Sequence, residues 1–290
     1  MNDNPLISVI TPVYNGAEYL PDLIESVLEQ DYPHYEHIVI DDGSVDEGAT
    51  VAVLEKYAGR DSRIRWWTRE NKGQYATQNE ALKAANGDCI VIIAADDAFI
   101  TPNAFSQVVN YWKEHSECKF VYGKTRHMEQ DGHMLPNIAF WWAPSRWLIR
   151  HIVYAQHCST FVSRQHLMDK QLFFNSNFKY AGDWDWLIRL FDSTDEVGCT
   201  RQPLSIVRMH ANQASRTADP TAKADEHRLI CQTYGGSYRL HVVLTNFLIF
   251  RGMTLMALQV LRQNGIKAFC MRIITWITKR RIHSGASAHK

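Results

Sequence analysis

The sequence predicts an α/β fold, a mainly parallel central sheet flanked by helices, with a helical C-terminal extension. Three observations carry this. Cys89-Ile90-Val91-Ile92-Ile93-Ala94-Ala95 is short, β-branched and uncharged, the composition of a strand buried on both faces inside a parallel sheet. Strand and helix signals alternate with short connections through the first half of the chain, the pattern of a sheet wrapped by helices. From about Ala222, just past Pro220, strand signals cease and helical spacing dominates.

The elements follow in order. Leu6-Ile7-Ser8-Val9-Ile10 is the first strand, which Thr11-Pro12 is expected to stop. Asn15-Gly16 turns the chain into a helix with Leu20, Leu23, Ile24, Val27 and Leu28 on one stripe, the i, i+3, i+4 spacing of a core-facing helix. His37-Ile38-Val39-Ile40 is the second strand and ends in Asp41-Asp42-Gly43-Ser44; a polar loop and a helix through Val51–Leu54 come next. Ile64-Arg65-Trp66-Trp67 is the third strand. Asn71-Lys72-Gly73-Gln74 is a turn before a helix from about Tyr75 to Ala85, with Asn86-Gly87 as its C-cap pair. The fourth strand is the Cys89 run, ending in Asp96-Asp97. Thr101-Pro102-Asn103 starts another helix, and Phe120-Val121-Tyr122 is a short fifth strand.

Beyond about residue 123 the period weakens. Glu129-Gln130-Asp131-Gly132 reads as a hairpin turn between two extended pieces. Phe140-Trp141-Trp142-Ala143-Pro144, with Trp147, is an aromatic-rich stretch. Tyr180 to Asp192 returns to helical spacing and Ser205-Ile206-Val207-Arg208 is a last strand. Two units are expected, an α/β domain over 1–220 and the helical extension over 221–290.

Composition narrows the classes. The chain has 290 residues with 31 basic and 31 acidic side chains, so a general basic field for nucleic acid is absent. The six cysteines are scattered, without C-x-x-C spacing, which argues against a disulfide framework and a structural zinc site and for a reducing compartment. The polar start, Met1 to Pro5, leads straight into a strand and is not read as a signal peptide. No apolar stretch reaches the roughly 18 residues that a spanning helix needs. A cytoplasmic location is expected.

The extension has its own character. Leu240–Leu244, Phe247–Phe250 and Met253–Leu261 are apolar, and Ile266–Ile282 mixes Phe269, Ile273, Ile274 and Trp276 with Lys267, Arg272, Lys279, Arg280 and Arg281. A basic amphipathic helix carrying Trp fits an anionic membrane surface, which would make the protein peripheral on the inner face of the plasma membrane. A hairpin packed on the domain or in a homodimer contact fits the same spacing.

Two strand ends thus bring four carboxylates, Asp41, Asp42, Asp96 and Asp97, to one rim, where open α/β sheets bind ligands. Unpaired, such charges repel and raise each other's pKa, so a cation or a donor-rich ligand is expected between them.

Five motifs, Thr11-Pro12-Val13-Tyr14-Asn15, Ile40-Asp41-Asp42-Gly43-Ser44, Asn71-Lys72-Gly73-Gln74 with Asn79, Ala95-Asp96-Asp97 and Gly182-Asp183-Trp184-Asp185, stand in order at the expected strand ends and loops. Together they resemble the family-two glycosyltransferases, inverting sugar-nucleotide enzymes of the GT-A fold, over roughly residues 5 to 215. The resemblance implies that Thr11 to Asn15 line the base pocket and that Asp42 accepts from the ring N–H of uracil, an acceptor reading a donor edge. Asp41 is then a supporting or helix-capping residue, and Gly43-Ser44 is equally a plain turn signal. Lys72 and Gly73 precede a helix N-terminus, which attracts phosphate. Asn79 reaches the ribose or the acidic loop, or else makes an inter-loop bond.

The same resemblance makes Asp97 the direct ligand of Mn²⁺ or Mg²⁺ and Asp96 the ribose partner or a support behind the metal ligand. Ala94-Ala95 replaces the further polar residues of the longer acidic version, so few protein ligands remain and the metal is expected to bind with the nucleotide. Asp183 is the implied general base, although Gly182 stands where the family has Glu; Asp185 is the alternative base or a support. Trp184 and Trp186 offer an acceptor floor or simply core. His210 is a metal ligand or a loop histidine. Gln156-His157-Cys158-Ser159-Thr160 resembles the loop beside donor sugar and acceptor, with His157 facing the latter.

The implied activity is transfer of a single sugar, hexosyl or N-acetylhexosaminyl, from a nucleoside diphosphate sugar to an acceptor hydroxyl in polysaccharide or lipid-linked oligosaccharide synthesis, with UDP-sugar as donor. Two rivals stand beside it. A metal-dependent nucleotidyltransferase also uses paired acids, but it wants a Gly-rich, basic phosphate loop after strand one that this chain lacks. A non-catalytic nucleotide- or sugar-binding scaffold has no need of the base candidate. A dinucleotide oxidoreductase is disfavoured because G-x-G-x-x-G is missing after strand one.

Overall fold

The computed structural model describes residues 4–135 and 142–255. Strand and helix alternate as β1 (Ile7–Val13), α1 (Leu20–Leu28), β2 (Tyr35–Asp41), α2 (Ala49–Ala58), β3 (Ile64–Thr68), α3 (Gln74–Ala84) and β4 (Cys89–Ile92). A short β5 (Ala98–Phe99), α4 (Ala104–Glu114) and β6 (Phe120–Glu129) follow, then α5 (Arg146–Ile149), β7 (Thr160–Ser163), α6 (Arg164–Asp169), α7 (Gly182–Asp192) and β8 (Val197–Met209). Helices α8 (Ala214–Thr217) and α9 (Pro220–Thr233) lead into a last helix over 238–255.

One eight-stranded sheet has the order β3-β2-β1-β4-β7-β6-β8-β5. β3, β2, β1 and β4 run parallel, as do β6 and β8, while β7 pairs antiparallel with both β4 and β6. The β-branched runs make this sheet because both faces are covered. Val39, Val91 and Phe161 pack with Leu23, Val27, Leu54 and Val108 of α1, α2 and α4 on one side. Ile38, Ile40, Ile90 and Ile92 pack with Leu82, Leu187, Leu190 and Ile230 of α3, α7 and α9 on the other. Fully burying one such side chain contributes about 1.5–3 kcal/mol.

Three expectations are corrected. Pro12 lies inside β1 and does not stop it. The Ile10 carbonyl accepts from Ile93 N–H at 2.9 Å, so alternate residues of β1 face β4. β4 pairs only with Ile7 to Ile10, and the donor that Pro12 lacks has no partner strand to serve. Helix α3 is not closed by Asn86-Gly87, because Ala85 is its extended C-cap. Gly87 instead serves a close approach, since a Cβ there would meet Ser8 Oγ at 2.6 Å. β6 and β8 are much longer than the expected strands, and they pair with each other.

The hairpin at Glu129–Gly132 is present, with Met128 bridged to Met134 and Gly132 at φ 89°. The segment after Pro220 packs on the domain through Ile230 and Cys231, both buried in the α3–α7 layer. Farther along, Val243, Phe247 and Phe250 are exposed on the last helix. Phe140, Trp141, Cys270 and the basic stretch at 266–282 lie outside the described residues. Among the described residues, no helix is long and apolar enough to cross a membrane.

Candidate active site at the carboxyl ends of the strands

The rim is built from loops that latch onto one another. After β1, Asn15 N–H donates to Ser44 Oγ at 2.8 Å and Asn15 Oδ1 accepts from Val45 N–H at 2.8 Å, so the loops after β1 and β2 move as one. Tyr14 stands half-exposed on this loop, while Val13 is buried in the core. Thr11 is fully buried and its hydroxyl pairs with His37 Nε2 at 3.0 Å. That places Thr11 in the sheet interior, not at the rim.

The two carboxylates after β2 hold the rim together. Asp41 accepts from Ser44 N–H and Oγ and from Thr68 Oγ1 at 2.9 Å, the supporting role the sequence suggested. Asp42 accepts from Lys72 N–H at 3.0 Å and Gly73 N–H at 2.8 Å, with Arg69 Nε at 3.5 Å. It therefore fixes the entry to α3. Its carboxylate is buried among these donors. Asn79, one turn into α3, donates to Phe174 O at 2.8 Å and accepts from Phe174 N–H at 2.7 Å. Its amide thus bonds the Phe174 backbone in both directions across 95 residues of sequence, the inter-loop role.

At the end of β4 the paired acids diverge. Asp97 turns inward and is buried, accepting from Arg208 N–H of β8 at 3.2 Å. Burial pushes its carboxyl well above the usual carboxylate range, and the Asp96 charge adds to the effect. Asp96 stays at the rim, where its Oδ2 pairs with His210 Nε2 at 2.8 Å. His210 thus meets Asp96 directly. Arg208 braces the turn, with Nε donating to Asp96 O at 3.2 Å, Nη1 to Gln130 O at 3.2 Å and Nη2 to Asp22 at 2.6 Å.

The third wall is the start of α7. Asp183 lies in its first turn, about a third exposed, with Oδ2 3.9 Å from His157 Nδ1. Both ring nitrogens of His157 are covered and without a hydrogen-bond partner. Burial lowers the His157 pKa, whereas the charges of Asp183 and Asp96 act to raise it. The imidazole therefore lies near both Asp183 and Asp96. Tyr75 of α3 closes the back, its hydroxyl accepting from Gly182 N–H at 2.9 Å.

Two acceptor candidates are corrected. Trp184 is 1 % exposed, donates its indole N–H to Ile149 O at 2.6 Å and stacks on His241. Trp186 is equally buried and donates to Leu172 O at 2.8 Å. Neither offers a face to a sugar; both are core, which fits Trp at helical spacing on a buried helix. Asp185 is also buried, accepting from Arg189 at 2.7 Å and from Tyr234 Oη at 2.6 Å, a support and not a second base.

Among the described residues, no group of three or more His, Cys, Asp or Glu side chains is gathered so as to hold a metal ion unaided. The donor set nevertheless fits a cation shared with a diphosphate. Asp96 and His210 meet at one strand end while the Asp97 carboxylate is buried next to them, and the charge proximity of the two acids is the kind a divalent cation relieves. Hard ions such as Mg²⁺ are held by one or two carboxylates plus substrate phosphates.

Three residues at the site escape sequence reasoning. Arg208 precedes His210 by two positions and reads as an ordinary strand arginine. Tyr75 reads as a helix-start aromatic. Glu226, on α9, accepts from the N–H groups of Lys179, Tyr180 and Ala181 at 2.8, 2.9 and 2.8 Å, and no local pattern announces a cap 45 residues away.

Residues 8–174 match the model of the glycosyl transferase family 2. The putative teichuronic acid biosynthesis glycosyltransferase TuaG of Bacillus subtilis (strain 168) is 36 % identical over 132 residues, covering 45 % of this chain and 51 % of TuaG. Chondroitin synthase of Escherichia coli is 27 % identical over 194 residues, covering 67 % of this chain and 27 % of that protein. The chain thus spans about half of the first relative and about a quarter of the second. Among solved structures, S. aureus TarS 1-349 in complex with UDP-GlcNAc superposes with a TM-score of 0.65 at 22 % identity, covering 78 % of this chain and 65 % of that one. The mannosyltransferase PcManGT from Pyrobaculum calidifontis, in complex with GDP-Man and Mn²⁺, gives 0.58 at 16 % identity over 95 % and 80 % of the two chains. The fold is GT-A, and with a family match spanning more than half its length this chain belongs to glycosyl transferase family 2.

Proposed function

We propose that the chain transfers a single hexosyl or N-acetylhexosaminyl group, with inversion, from a UDP-sugar to an acceptor hydroxyl in polysaccharide or lipid-linked oligosaccharide synthesis. The observation that carries the reading is Asp183 beside His157, whose imidazole also feels the charge of Asp96, itself paired with His210. The names of TuaG and chondroitin synthase support the polysaccharide setting, and the UDP-GlcNAc of the TarS complex supports the donor class.

In this reading Tyr14 and Asn15 border the nucleobase, and Asp42 at the end of β2 is the carboxylate set to accept from the ring N–H. Gly43 and Ser44 hold that loop in place. Lys72 and Gly73 at the start of α3 face the phosphates. Asp96, Asp97 and His210 would hold Mn²⁺ or Mg²⁺, which supplies charge neutralisation to the diphosphate when bound. Asp183 takes the proton of the acceptor hydroxyl as its oxygen bonds to the anomeric carbon, while the bond from that carbon to the diphosphate oxygen breaks. A positioned carboxylate contributes about 10²–10⁴-fold in such a step. His157, with Nδ1 3.9 Å from Asp183 Oδ2, is assigned to the acceptor side beside the base.

Thermal unfolding against a panel of nucleoside diphosphates, each with and without Mn²⁺, tests the reading. Ligand at about 100 times its dissociation constant adds roughly 2.7 kcal/mol. A Mn²⁺-dependent rise with UDP alone supports the donor class and the metal residues. Absence of a rise with every diphosphate overturns the reading.

A further inference from the structure

The base candidate has no carboxylate beside it in the chain, because Gly182 occupies the preceding position. A carboxylate is nevertheless present at this helix start. Glu226 reaches across from α9, and its two oxygens accept the three consecutive N–H groups of residues 179–181 at 2.8–2.9 Å. An anion at a helix N-terminus is favourable in its own right, and three backbone donors fixed by one group leave the entry to α7 a single path. Four and eight residues on, Ile230 is buried and Tyr234 Oη donates to Asp185 at 2.6 Å. Positions 226 and 230 share one face of α9 and Tyr234 is its C-cap, so the helix holds α7 on both sides of Asp183.

We propose that Glu226 is a positioning residue for transfer: through the 179–181 backbone it sets where the Asp183 carboxylate stands in the cleft. The inference rests on the reading of Asp183 as the base. It also gives the segment after Pro220 a part in the chemistry, as the clamp of the base helix. Displacement of a catalytic group by about 1 Å can lower turnover about 100-fold, so release of this anchor affects transfer far more than donor binding, whose residues lie on other loops.

The test uses the full chain with Glu226→Gln, and Glu226→Asp as the conservative variant that keeps a charged acceptor on a shorter stem. Amide hydrogen exchange over 179–185 is expected to quicken by at least about tenfold in Glu226→Gln, with distant segments unchanged. UDP release from a UDP-sugar panel is expected to fall by about tenfold or more, while UDP binding with Mn²⁺ holds and Glu226→Asp recovers part of the turnover. Unchanged exchange over 179–185, or unchanged turnover, overturns the inference, and so does a loss of UDP binding in step with turnover. Should Glu226→Gln fail to fold, the same two readouts on Glu226→Asp decide. If the native chain turns over no donor, the functional reading falls, and the exchange result alone decides whether Glu226 anchors the helix.

Discussion

Tyr75 lies across Gly182 so closely that a Cβ on Gly182 would sit 2.7 Å from the ring, while the Tyr75 hydroxyl accepts from Gly182 N–H at 2.9 Å. The departure from the family's Glu-Asp pattern is therefore a packing fact: residue 182 must be small because α3 presses against the start of α7. Gly182→Ala is expected to destabilise the protein by about 1–3 kcal/mol through overpacking. An unchanged urea midpoint would show that Tyr75 can swing aside.

Asp183→Asn keeps size and position but removes the proton acceptor. Turnover should fall by about 10²–10⁴-fold with UDP binding intact. Transfer surviving within a few-fold, measured as UDP release at saturating donor, would place the base elsewhere.

Asp97→Ala should abolish the Mn²⁺-dependent part of UDP binding, because only Asp96 and His210 would remain at that strand end. Calorimetric titration of UDP with and without Mn²⁺ reads this directly. Binding that stays metal-dependent would remove Asp97 from the metal residues.

Asn79→Ala separates the two roles considered for that side chain. Loss of both bonds to the Phe174 backbone should lower stability by about 1–3 kcal/mol and leave UDP affinity unchanged. A drop in affinity with stability preserved would return Asn79 to the nucleotide site.

His37 gives a pH dependence. It is fully buried beside Thr11, and burial lowers its pKa from 6.5 to about 3. Below pH 6.5 the unfolded chain takes up a proton that the folded chain refuses until about pH 3, so this contribution is intact above 6.5 and is lost as pH falls. The expected loss is about 1.4 kcal/mol per pH unit below 6.5. Urea unfolding of the native chain and of His37→Gln at pH 7 and 5.5 checks it, and equal pH slopes would disprove it.

What was legible in the sequence was what repeats locally. The apolar runs at His37–Ile40 and Cys89–Ile93 name their strands because both faces are buried, and the acids that follow mark the rim. Pro12 misled because its missing donor matters only where a neighbouring strand is present, and β4 ends short of it. β6 was underread because Lys124 and Arg126 interrupt its apolar character where one face is partly open. Trp184 carries the same letters whether a helix buries it or presents it to a sugar. The bonds of Asn79 to Phe174 and of Glu226 to the 179–181 backbone join segments 95 and 45 or more residues apart, and no window along the chain contains both partners.

The sheet order has a consequence for synthesis. β8 joins the sheet last yet brings Arg208 and His210 to the acids that end β4, more than a hundred residues earlier, and Glu226 comes later still. A ribosome-bound chain carries Asp96 and Asp97 well before Arg208 and His210 are there to meet them. Completion of this strand end therefore waits for β8: until that strand has emerged, the two acids after β4 stand without the backbone donor and the imidazole that meet them in the folded chain.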